Sequence, residues 1–241
     1  MASKSKKIAI VIPMFNEEKI AEKAIDCVIE TISKIKSRAK LIVVNDGSQD
    51  NTLQILDDKK RTYPEELTIV SYPKNKGYGM ALQQGISKAN KLKSDYVLFM
   101  DSDLTNNPKD IPLFIEKMKD NPDCIKGSRY INGGGMKGVT LKRRVLSKLG
   151  NFIASLCFRL GIKDHTNGFR MLKLSKIKGI KFRENSFAII LEELYHLKKR
   201  KAKIVEIPIT LTSRKNTKTH FKYDITTFYN YGKYAIKALF V

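Results

Sequence analysis

Two aspartates that stand two positions apart are the clearest candidates for chemistry in this sequence. Asp101 and Asp103 flank Ser102 directly after the apolar run at residues 96–100. Residues two apart in extended backbone project to the same side, so both carboxylates can face one cation. Hard oxygen ligands suit Mg²⁺ or Mn²⁺, which proteins hold with one or two carboxylates and with substrate phosphates. Such a pair is common by chance, but its place after an apolar run predicts a divalent-metal site.

Acidic residues follow two further apolar runs in the same way. Glu17 lies just beyond the run at residues 8–12, and Asp46 lies just beyond the run at residues 41–44. A single polar residue at such a point is often a helix cap, because its side-chain oxygen accepts backbone N–H groups. Capping is a poor explanation when several runs all lead into acidic residues. These positions are therefore predicted to form one site.

The elements that would position these side chains alternate between two periods. Short, continuous, β-branched runs are typical of strands buried on both faces, and they cover residues 8–12, 41–44, 67–71 and 96–100. Helical spacing of apolar residues separates these runs, and it predicts helices at residues 17–36, 50–57 and 78–90. The alternation predicts an α/β fold with a mostly parallel sheet. Ligands bind such sheets at the carboxyl ends of the strands, where the acidic residues lie.

The second half of the chain is predicted to be less regular than the first. Helical spacing indicates helices over residues 142–160 and 187–200, and a strand pattern covers residues 203–211. Pro208 favours an edge position for that strand, because proline cannot donate a hydrogen bond to a neighbouring strand. The predicted organisation is one main domain and a C-terminal amphipathic helix, at residues 1–220 and 221–241.

The charge balance of the chain indicates an anionic partner. Forty-six Lys and Arg residues against 24 Asp and Glu residues give a formal net charge of +22. Nucleic acid, an anionic membrane face and phosphate-bearing substrates all fit such a charge. Cys27, Cys124 and Cys157 are far apart and lack metal-ligand spacing, which favours free thiols in a reducing compartment. No apolar stretch reaches the ~18 residues that a membrane span requires, so no span is predicted.

Several spaced segments resemble the family 2 glycosyltransferases of the GT-A fold, and among them the dolichyl- or polyprenyl-phosphate mannose synthases. The resemblance runs from about Ile8 to Phe221. Segments that occur in the right order are far more specific than any one of them alone. They are IPMFNEE (12–18), VVNDGSQDNT (43–52), NKGYGMALQQGI (75–86), FMDSDL (99–104), GSRYINGGG (127–135), DHTNGFR (164–170) and VEIPI (205–209).

The resemblance implies an inverting, metal-dependent glycosyltransferase that moves a hexose to dolichyl or polyprenyl phosphate. The implied donor is GDP-mannose, with UDP-glucose as the alternative, and the implied cofactor is Mg²⁺ or Mn²⁺. By matching position, the implied catalytic residues are Asp101, Asp103 and Arg129, and the two aspartates hold the metal. The implied nucleotide-sugar site consists of Pro13, Phe15, Glu17, Asp46, Asp101, Ser102 and Asp103.

Two positions depart from the pattern of the family. Asn45 stands where an aspartate is usual, although Asp46 keeps the next position of that motif. Thr105 stands where mannose synthases often have glutamine as a further metal ligand. Metal coordination beyond Asp101 and Asp103 is therefore left open.

Cationic side chains are expected to hold the acceptor phosphate. A phosphate is already ionised at neutral pH, so unlike a sugar hydroxyl it needs little help from a general base. It needs positive groups that bring two anions close together. The candidates are Arg129, Arg143, Arg144, Arg170, Arg214 and His220, of which the last two match a late basic element of the family.

Two amphipathic segments are candidates for contact with a membrane. Residues 142–160 combine an apolar stripe with Lys142, Arg143 and Arg144, which suits a helix that lies in a membrane interface. Packing of this stripe on the protein's own core is the alternative. The C-terminal helix is expected to dock on a membrane, on the protein or on a second subunit. The protein is therefore expected to be peripheral, at the cytoplasmic face of a membrane.

Two other functions fit part of the sequence. A nucleic-acid-binding module would explain the net charge of +22, but the acidic strand ends would repel its phosphates, so nucleic acid is not an expected partner. A family 2 transferase that elongates a glycan would need a general base for a sugar hydroxyl. Asp164 is the candidate for that base.

Overall fold

The computed structural model describes residues 6–35, 38–213 and 225–241. Strands and helices alternate through the first half, as predicted. This half contains β1 (Lys7–Met14), α1 (Ala21–Ser33), β2 (Arg38–Asp46), α2 (Thr52–Thr62), β3 (Leu67–Tyr72), α3 (Tyr78–Lys91) and β4 (Tyr96–Phe99). The second half contains α4 (Ile111–Lys117), β5 (Cys124–Ser128), β6 (Gly135–Lys137), α5 (Leu141–Phe158), β7 (Arg170–Lys173), α6 (Leu174–Ile177), α7 (Ile189–Lys199), β8 (Ile204–Pro208), β9 (Thr210–Thr212) and α8 (Ile225–Leu239).

A seven-stranded sheet forms the centre of the fold, in the order β3-β2-β1-β4-β7-β5-β8. Neighbouring strands are parallel except at β7, which runs antiparallel to both β4 and β5. Strands β6 and β9 pair in parallel as a separate two-stranded sheet. The predicted α/β class with a mostly parallel sheet is confirmed.

Strand β1 is buried on both faces because helices cover both sides of the sheet. Ile10 belongs to an apolar cluster with α1, and Val11 belongs to a second cluster with α3 on the opposite face. This two-sided burial explains why β1 is continuously apolar in sequence rather than alternating. Helix α3 packs very close to β1, since a Cβ on Gly85 would lie 2.3 Å from Val11 Cγ1. The contact holds α3 directly against the central strand.

Two boundaries differ from the prediction for local reasons. Helix α1 begins at Ala21 rather than near residue 17, because the Glu17 carbonyl accepts hydrogen bonds from the N–H groups of both Ile20 and Ala21. The strand predicted over residues 203–211 is divided into β8 and β9. Strand β8 ends at Pro208 and lies at the edge of the main sheet, which confirms the edge position that the proline predicted.

Helices α5, α7 and α8 pack together beside the sheet. Helix α8 buries Tyr234, Ala235 and Ala238 in the same apolar cluster as α7. The predicted boundary between residues 220 and 221 lies outside the described residues, so the division into two parts stays a prediction. Over the part of the chain that the structure describes, no helix is both long enough and apolar enough to cross a membrane.

Candidate active site

The carboxyl ends of β1, β2 and β4 open onto one cleft with a volume of about 430 Å³. Residues from distant parts of the sequence line it together. They include every residue predicted for the nucleotide sugar and for catalysis, namely Pro13, Phe15, Glu17, Asp46, Asp101, Ser102, Asp103 and Arg129. The structure thus brings these side chains to one place, and their individual roles remain predictions.

Hydrogen bonds from neighbouring side chains orient both aspartates that follow β4. The Tyr78 hydroxyl donates to Asp101 Oδ1 at 3.0 Å. The Thr105 N–H and hydroxyl both donate to Asp103 Oδ1, at 3.0 Å and 2.8 Å. Thr105 therefore orients Asp103 at the position where the family's pattern has a glutamine ligand. Across the cleft floor, the Ser102 hydroxyl donates to Glu17 Oε1 at 3.1 Å.

Tyr78 is a site residue that the sequence reasoning missed. Its ring stacks on Phe187 with centroids 4.2 Å apart, and both residues line the cleft. Burial, with the charge of Asp101 beside it, raises the pKa of Tyr78 well above its ordinary value. The hydroxyl consequently keeps its proton and stays a donor to Asp101. The available signal was its place within the segment NKGYGMALQQGI.

The aspartate pair fits a divalent cation of the Mg²⁺ or Mn²⁺ type. Asp101 and Asp103 place hard carboxylate oxygens on the wall of the same cleft. Within the described ranges, no group of three or more His, Cys, Asp and Glu side chains could hold a metal. Mg²⁺ in proteins ordinarily takes its other ligands from substrate phosphates and water.

Gly168 keeps the space beside Asp101 open, and filling that space is expected to slow the reaction. A Cβ at this position would lie 3.3 Å from both Asp101 Oδ2 and the Tyr78 hydroxyl. Gly168→Ala should displace the Asp101 carboxylate by a few tenths of an ångström and lower kcat by about 10-fold. Gly150→Ala is the control, because a Cβ on Gly150 meets nothing within 4 Å. Equal kcat values for the two variants would contradict the close placement of Asp101.

Asp46 holds the turn that precedes α3. Its carboxylate accepts hydrogen bonds from the Asn75 side chain and from the N–H groups of Lys76 and Gly77, at 3.0, 2.7 and 2.9 Å. Gly47 next to it has φ of +70°, and a Cβ there would lie 2.4 Å from the Lys74 carbonyl carbon. Asp46 thus shapes the cleft edge directly, and its place in the nucleotide-sugar site stays a prediction.

Arg129 is held in the cleft wall by a buried carboxylate. Its Nε and Nη2 donate to Asp164 Oδ2 and Oδ1 at 2.7 Å and 2.8 Å, and Nη2 also donates to Thr166 Oγ1 at 2.9 Å. Asp164 is 0% exposed. Burial alone would raise the pKa of Asp164, but the charge and hydrogen bonds of Arg129 outweigh it and hold that pKa below its ordinary value. Asp164 therefore holds Arg129 in position, and it is poorly placed as a general base.

Arg170, which was predicted to bind the acceptor phosphate, does not line the cleft. Arg170 is 1% exposed, because it lies within the sheet on β7. Its guanidinium makes a two-pronged ion pair with Glu193 of α7. It also donates to the Gly168 carbonyl at 2.7 Å. Arg170 consequently supports the loop at residues 164–168 from behind.

Of the remaining cationic candidates, Arg143 and Arg144 belong to the described residues. Arg143 and Arg144 are exposed in the first turn of α5 and do not line the cleft. Arg214 and His220 lie outside the described residues. Arg129 is thus the predicted acceptor-phosphate residue that the structure places in the cleft wall.

The mostly parallel sheet and the cleft at the carboxyl ends of its strands fit the GT-A fold class. Residues 9–180 match the family model described as "Glycosyl transferase family 2". The match covers well over half of the chain, and the chain belongs to this family. The resemblance found in the sequence is confirmed at that level.

A relative of known activity supports this assignment. A dolichol-phosphate mannosyltransferase from Pyrococcus furiosus is 28% identical over 218 residues, which cover 90% of this chain and 59% of that protein. The chain therefore spans less than two thirds of the length of that relative.

Two solved structures share the fold at low sequence identity. Glucosyl-3-phosphoglycerate synthase from Mycobacterium tuberculosis, in complex with Mn²⁺, UDP-glucose and phosphoglyceric acid, superposes with a TM-score of 0.67 at 19% identity, covering 97% of this chain and 78% of that chain. A mannosyltransferase from Pyrobaculum calidifontis, in complex with GDP-Man and Mn²⁺, superposes with a TM-score of 0.61 at 14% identity. Its match covers 88% of this chain and 58% of that one.

Proposed function

We propose that this protein transfers a hexose from a nucleotide sugar to dolichyl or polyprenyl phosphate, with Mg²⁺ or Mn²⁺ as cofactor. One observation carries the proposal: the cleft brings the Asp101 and Asp103 carboxylates together with the Arg129 guanidinium. Carboxylates that can hold a cation suit the diphosphate of a donor, and a guanidinium suits a second phosphate. The dolichol-phosphate mannosyltransferase relative supports the same acceptor class.

The reaction needs two anions to approach each other within the cleft. When bound, the cation supplies Lewis-acid stabilisation to the diphosphate that leaves the sugar. Asp101 and Asp103 hold that cation, while Tyr78 and Thr105 keep the two carboxylates oriented. Arg129, which Asp164 holds in place, is the group that binds the acceptor phosphate in this proposal. The acceptor oxygen is already ionised, so no side chain has to remove a proton from it.

The donor is proposed to be GDP-mannose, with UDP-glucose as the alternative. A relative that is a mannosyltransferase and a fold neighbour in complex with GDP-Man support mannose. A fold neighbour in complex with UDP-glucose supports the alternative.

Transfer to a sugar hydroxyl is the less favoured function. Such a reaction needs a general base in contact with the acceptor. Asp164, the candidate from the sequence, is 0% exposed and has both carboxylate oxygens bound by Arg129. This pairing favours an acceptor that arrives already ionised.

The outward surface of α5 and α8 supports a lipid acceptor. Helix α5 turns polar and small side chains inward, including Ser147, Asn151 and Ala154, and packs against α8. Leu160 packs against the core, but most of the apolar stripe of α5 faces outward. Its exposed apolar side chains are Leu141, Val145, Leu149, Phe152, Ile153 and Leu156 on α5, and Tyr229, Ile236, Leu239 and Phe240 on or beside α8. With the basic residues at the start of α5, this surface fits an anionic membrane face, and the cytoplasmic leaflet is the proposed one.

Charging the outward face of α5 is expected to release the protein from membranes. Phe152 and Leu156 are 61% and 57% exposed, so glutamate at both positions costs the fold little. Each of these side chains contributes about 1.5–3 kcal/mol when buried in an apolar phase, so the double variant should bind anionic vesicles at least about 100-fold more weakly. Leu113→Glu on α4, where Leu113 is 43% exposed, is the matched control. Equal co-sedimentation of the two variants with vesicles would contradict this membrane-facing surface.

A two-donor assay tests the proposed function. The protein is incubated with Mn²⁺, polyprenyl phosphate and labelled GDP-mannose or UDP-glucose in parallel. Label should enter the lipid phase from one donor, and EDTA should abolish the transfer until Mn²⁺ is restored. Label that enters the lipid phase from neither donor would refute the proposed reaction.

A further inference from the structure

The loop at residues 164–168 places a threonine in the wall of the cleft. Thr166, Asn167 and Gly168 all line the cleft, and Thr166 is only partly buried. The Thr166 hydroxyl lies next to Arg129, whose Nη2 donates to it at 2.9 Å. It therefore borders the space in which Arg129 would meet a phosphate.

Asn151 of α5 donates a second hydrogen bond to the Thr166 hydroxyl. Asn151 is 3% exposed, and its Oδ1 accepts from the N–H groups of His165 and Thr166, at 2.7 Å and 3.2 Å. Because these two partners are donors, the atom that they contact must be the amide oxygen. The amide nitrogen is then fixed as well, and it donates to the Ser147 carbonyl at 2.9 Å and to Thr166 Oγ1 at 3.0 Å.

Counting hydrogen-bonding positions leaves one direction for the threonine proton. A hydroxyl oxygen has two lone pairs and one hydrogen. The Arg129 guanidinium and the Asn151 amide nitrogen can only donate hydrogen bonds. Together they therefore occupy both lone pairs of Thr166 Oγ1. Among the described residues the hydroxyl donates to no acceptor. The hydrogen is consequently available to an acceptor that enters the cleft.

We propose that Thr166 is a phosphate-binding residue whose hydroxyl donates to a substrate phosphate oxygen beside Arg129. The inference rests on the proposed function, since it takes its ligand from that reaction. Two properties favour an anion there. Both lone pairs are turned away from the ligand, so the hydroxyl presents a hydrogen and no repelling oxygen pair, and the neighbouring guanidinium adds positive charge.

Arg129 does not depend on Thr166 for its position. Its guanidinium keeps two hydrogen bonds to Asp164, and the Arg129 N–H donates to Asp164 Oδ2 at 3.0 Å. Removing the threonine hydroxyl should therefore remove one donor from the cleft while the arginine stays in place.

Equilibrium binding to two phosphate ligands tests the proposal. Wild type, Thr166→Val and Thr166→Ser are titrated calorimetrically with geranyl phosphate, and separately with GDP or UDP in the presence of Mn²⁺. Valine is expected to weaken binding of one ligand by about 10- to 100-fold, the usual range for a hydrogen bond to a charged group, and serine should restore it. The ligand that responds identifies whether the acceptor or the donor phosphate is bound.

The outcomes separate this proposal from the proposed function. Unchanged binding of both ligands in Thr166→Val, or equal losses in the valine and serine variants, would overturn the role of the hydroxyl. A wild type that binds nucleotide but no geranyl phosphate would refute the lipid-phosphate acceptor, and the nucleotide titration would still decide on Thr166. Melting temperatures of the three proteins identify any loss that comes from unfolding.

Asn151→Asp provides an independent test that leaves Thr166 intact. The new carboxylate oxygen would replace the amide donor, so the Thr166 hydroxyl would turn and donate to it instead of to the ligand. Phosphate binding should fall about as far as in Thr166→Val, and combining the two substitutions should add little further loss. Fully additive losses would mean that the aspartate acts through its charge alone, which would overturn the orienting role of Asn151.

Discussion

Asp103→Asn is expected to lower kcat by about 100- to 1000-fold, because the cation loses one of its two protein carboxylates. The substitution removes the negative charge of the Asp103 side chain and keeps its size and shape. Asparagine keeps an oxygen at the Oδ1 position, so it can still accept the hydrogen bonds from the Thr105 N–H and hydroxyl. The free energy of unfolding should therefore change little. Single-turnover rates with saturating nucleotide sugar measure the loss in kcat. Mn²⁺ titrations followed by calorimetry measure the accompanying loss of metal affinity.

Asp57→Asn is the matched control for this experiment. Asp57 is exposed on α2, away from the cleft, and the substitution makes the same change of charge. It should leave both kcat and Mn²⁺ affinity within about two-fold of wild type, since surface substitutions rarely matter at this distance. Normal turnover in Asp103→Asn would refute the assignment of Asp103 as a metal ligand.

The fold was predictable where local pattern and tertiary environment agree. Strands β1, β2 and β4 are buried on both faces over most of their length, and continuous apolar runs in the sequence indicate this burial. Strands β5 and β7 were not predicted, because each carries a charged residue inside the sheet. Lys126 of β5 and Arg170 of β7 are register partners, and both are at most 1% exposed. Sequence periodicity treats such residues as surface markers, so it cannot detect strands that bury them.

Lys126 illustrates how the structure accommodates such a charge. Its ammonium group donates to the carbonyls of Asn167 and His165, at 2.7 Å and 3.3 Å. Burial lowers the pKa of Lys126 to about 8, with a further contribution from the charge of Arg170. The lysine thus ties the loop at residues 164–168 to β5. No local feature of the sequence indicates this contact, since its partners lie about forty positions away.

The candidate site was predictable where its residues follow strands that the apolar pattern reveals. Asp46, Asp101 and Asp103 follow strands that the pattern reveals, so the topology of a parallel sheet brings them to one edge. The roles of Arg129, Arg170 and Thr166 depend on which partners meet them in three dimensions. Arg129 and Arg170 are both arginines within family segments, yet one lines the cleft and the other is enclosed by Glu193. Only the tertiary pairing distinguishes them.

Glu193→Gln is expected to destabilise the fold by about 3–5 kcal/mol, because it leaves the guanidinium of Arg170 buried without a counter-charge. Both side chains of this ion pair are 1% exposed. For a protein of this size the loss corresponds to a fall of roughly 6–20 °C in Tm. Urea unfolding and calorimetry measure it. Activity below the new Tm should fall less than in Asp103→Asn, since Arg170 supports the cleft indirectly, through the Gly168 carbonyl and through its contact with Tyr78.

An apolar replacement of the whole pair distinguishes an unpaired charge from lost packing. Arg170→Met combined with Glu193→Leu removes both charges at similar volume, so it should recover most of the stability that Glu193→Gln loses. The exposed pair Arg61 and Asp58, at 77% and 55% exposure, supplies the control, and Asp58→Asn should cost no more than about 1 kcal/mol. If Glu193→Gln were as mild as Asp58→Asn, Arg170 would have to reach solvent or the cleft. The prediction from sequence that it binds phosphate would then deserve a new test.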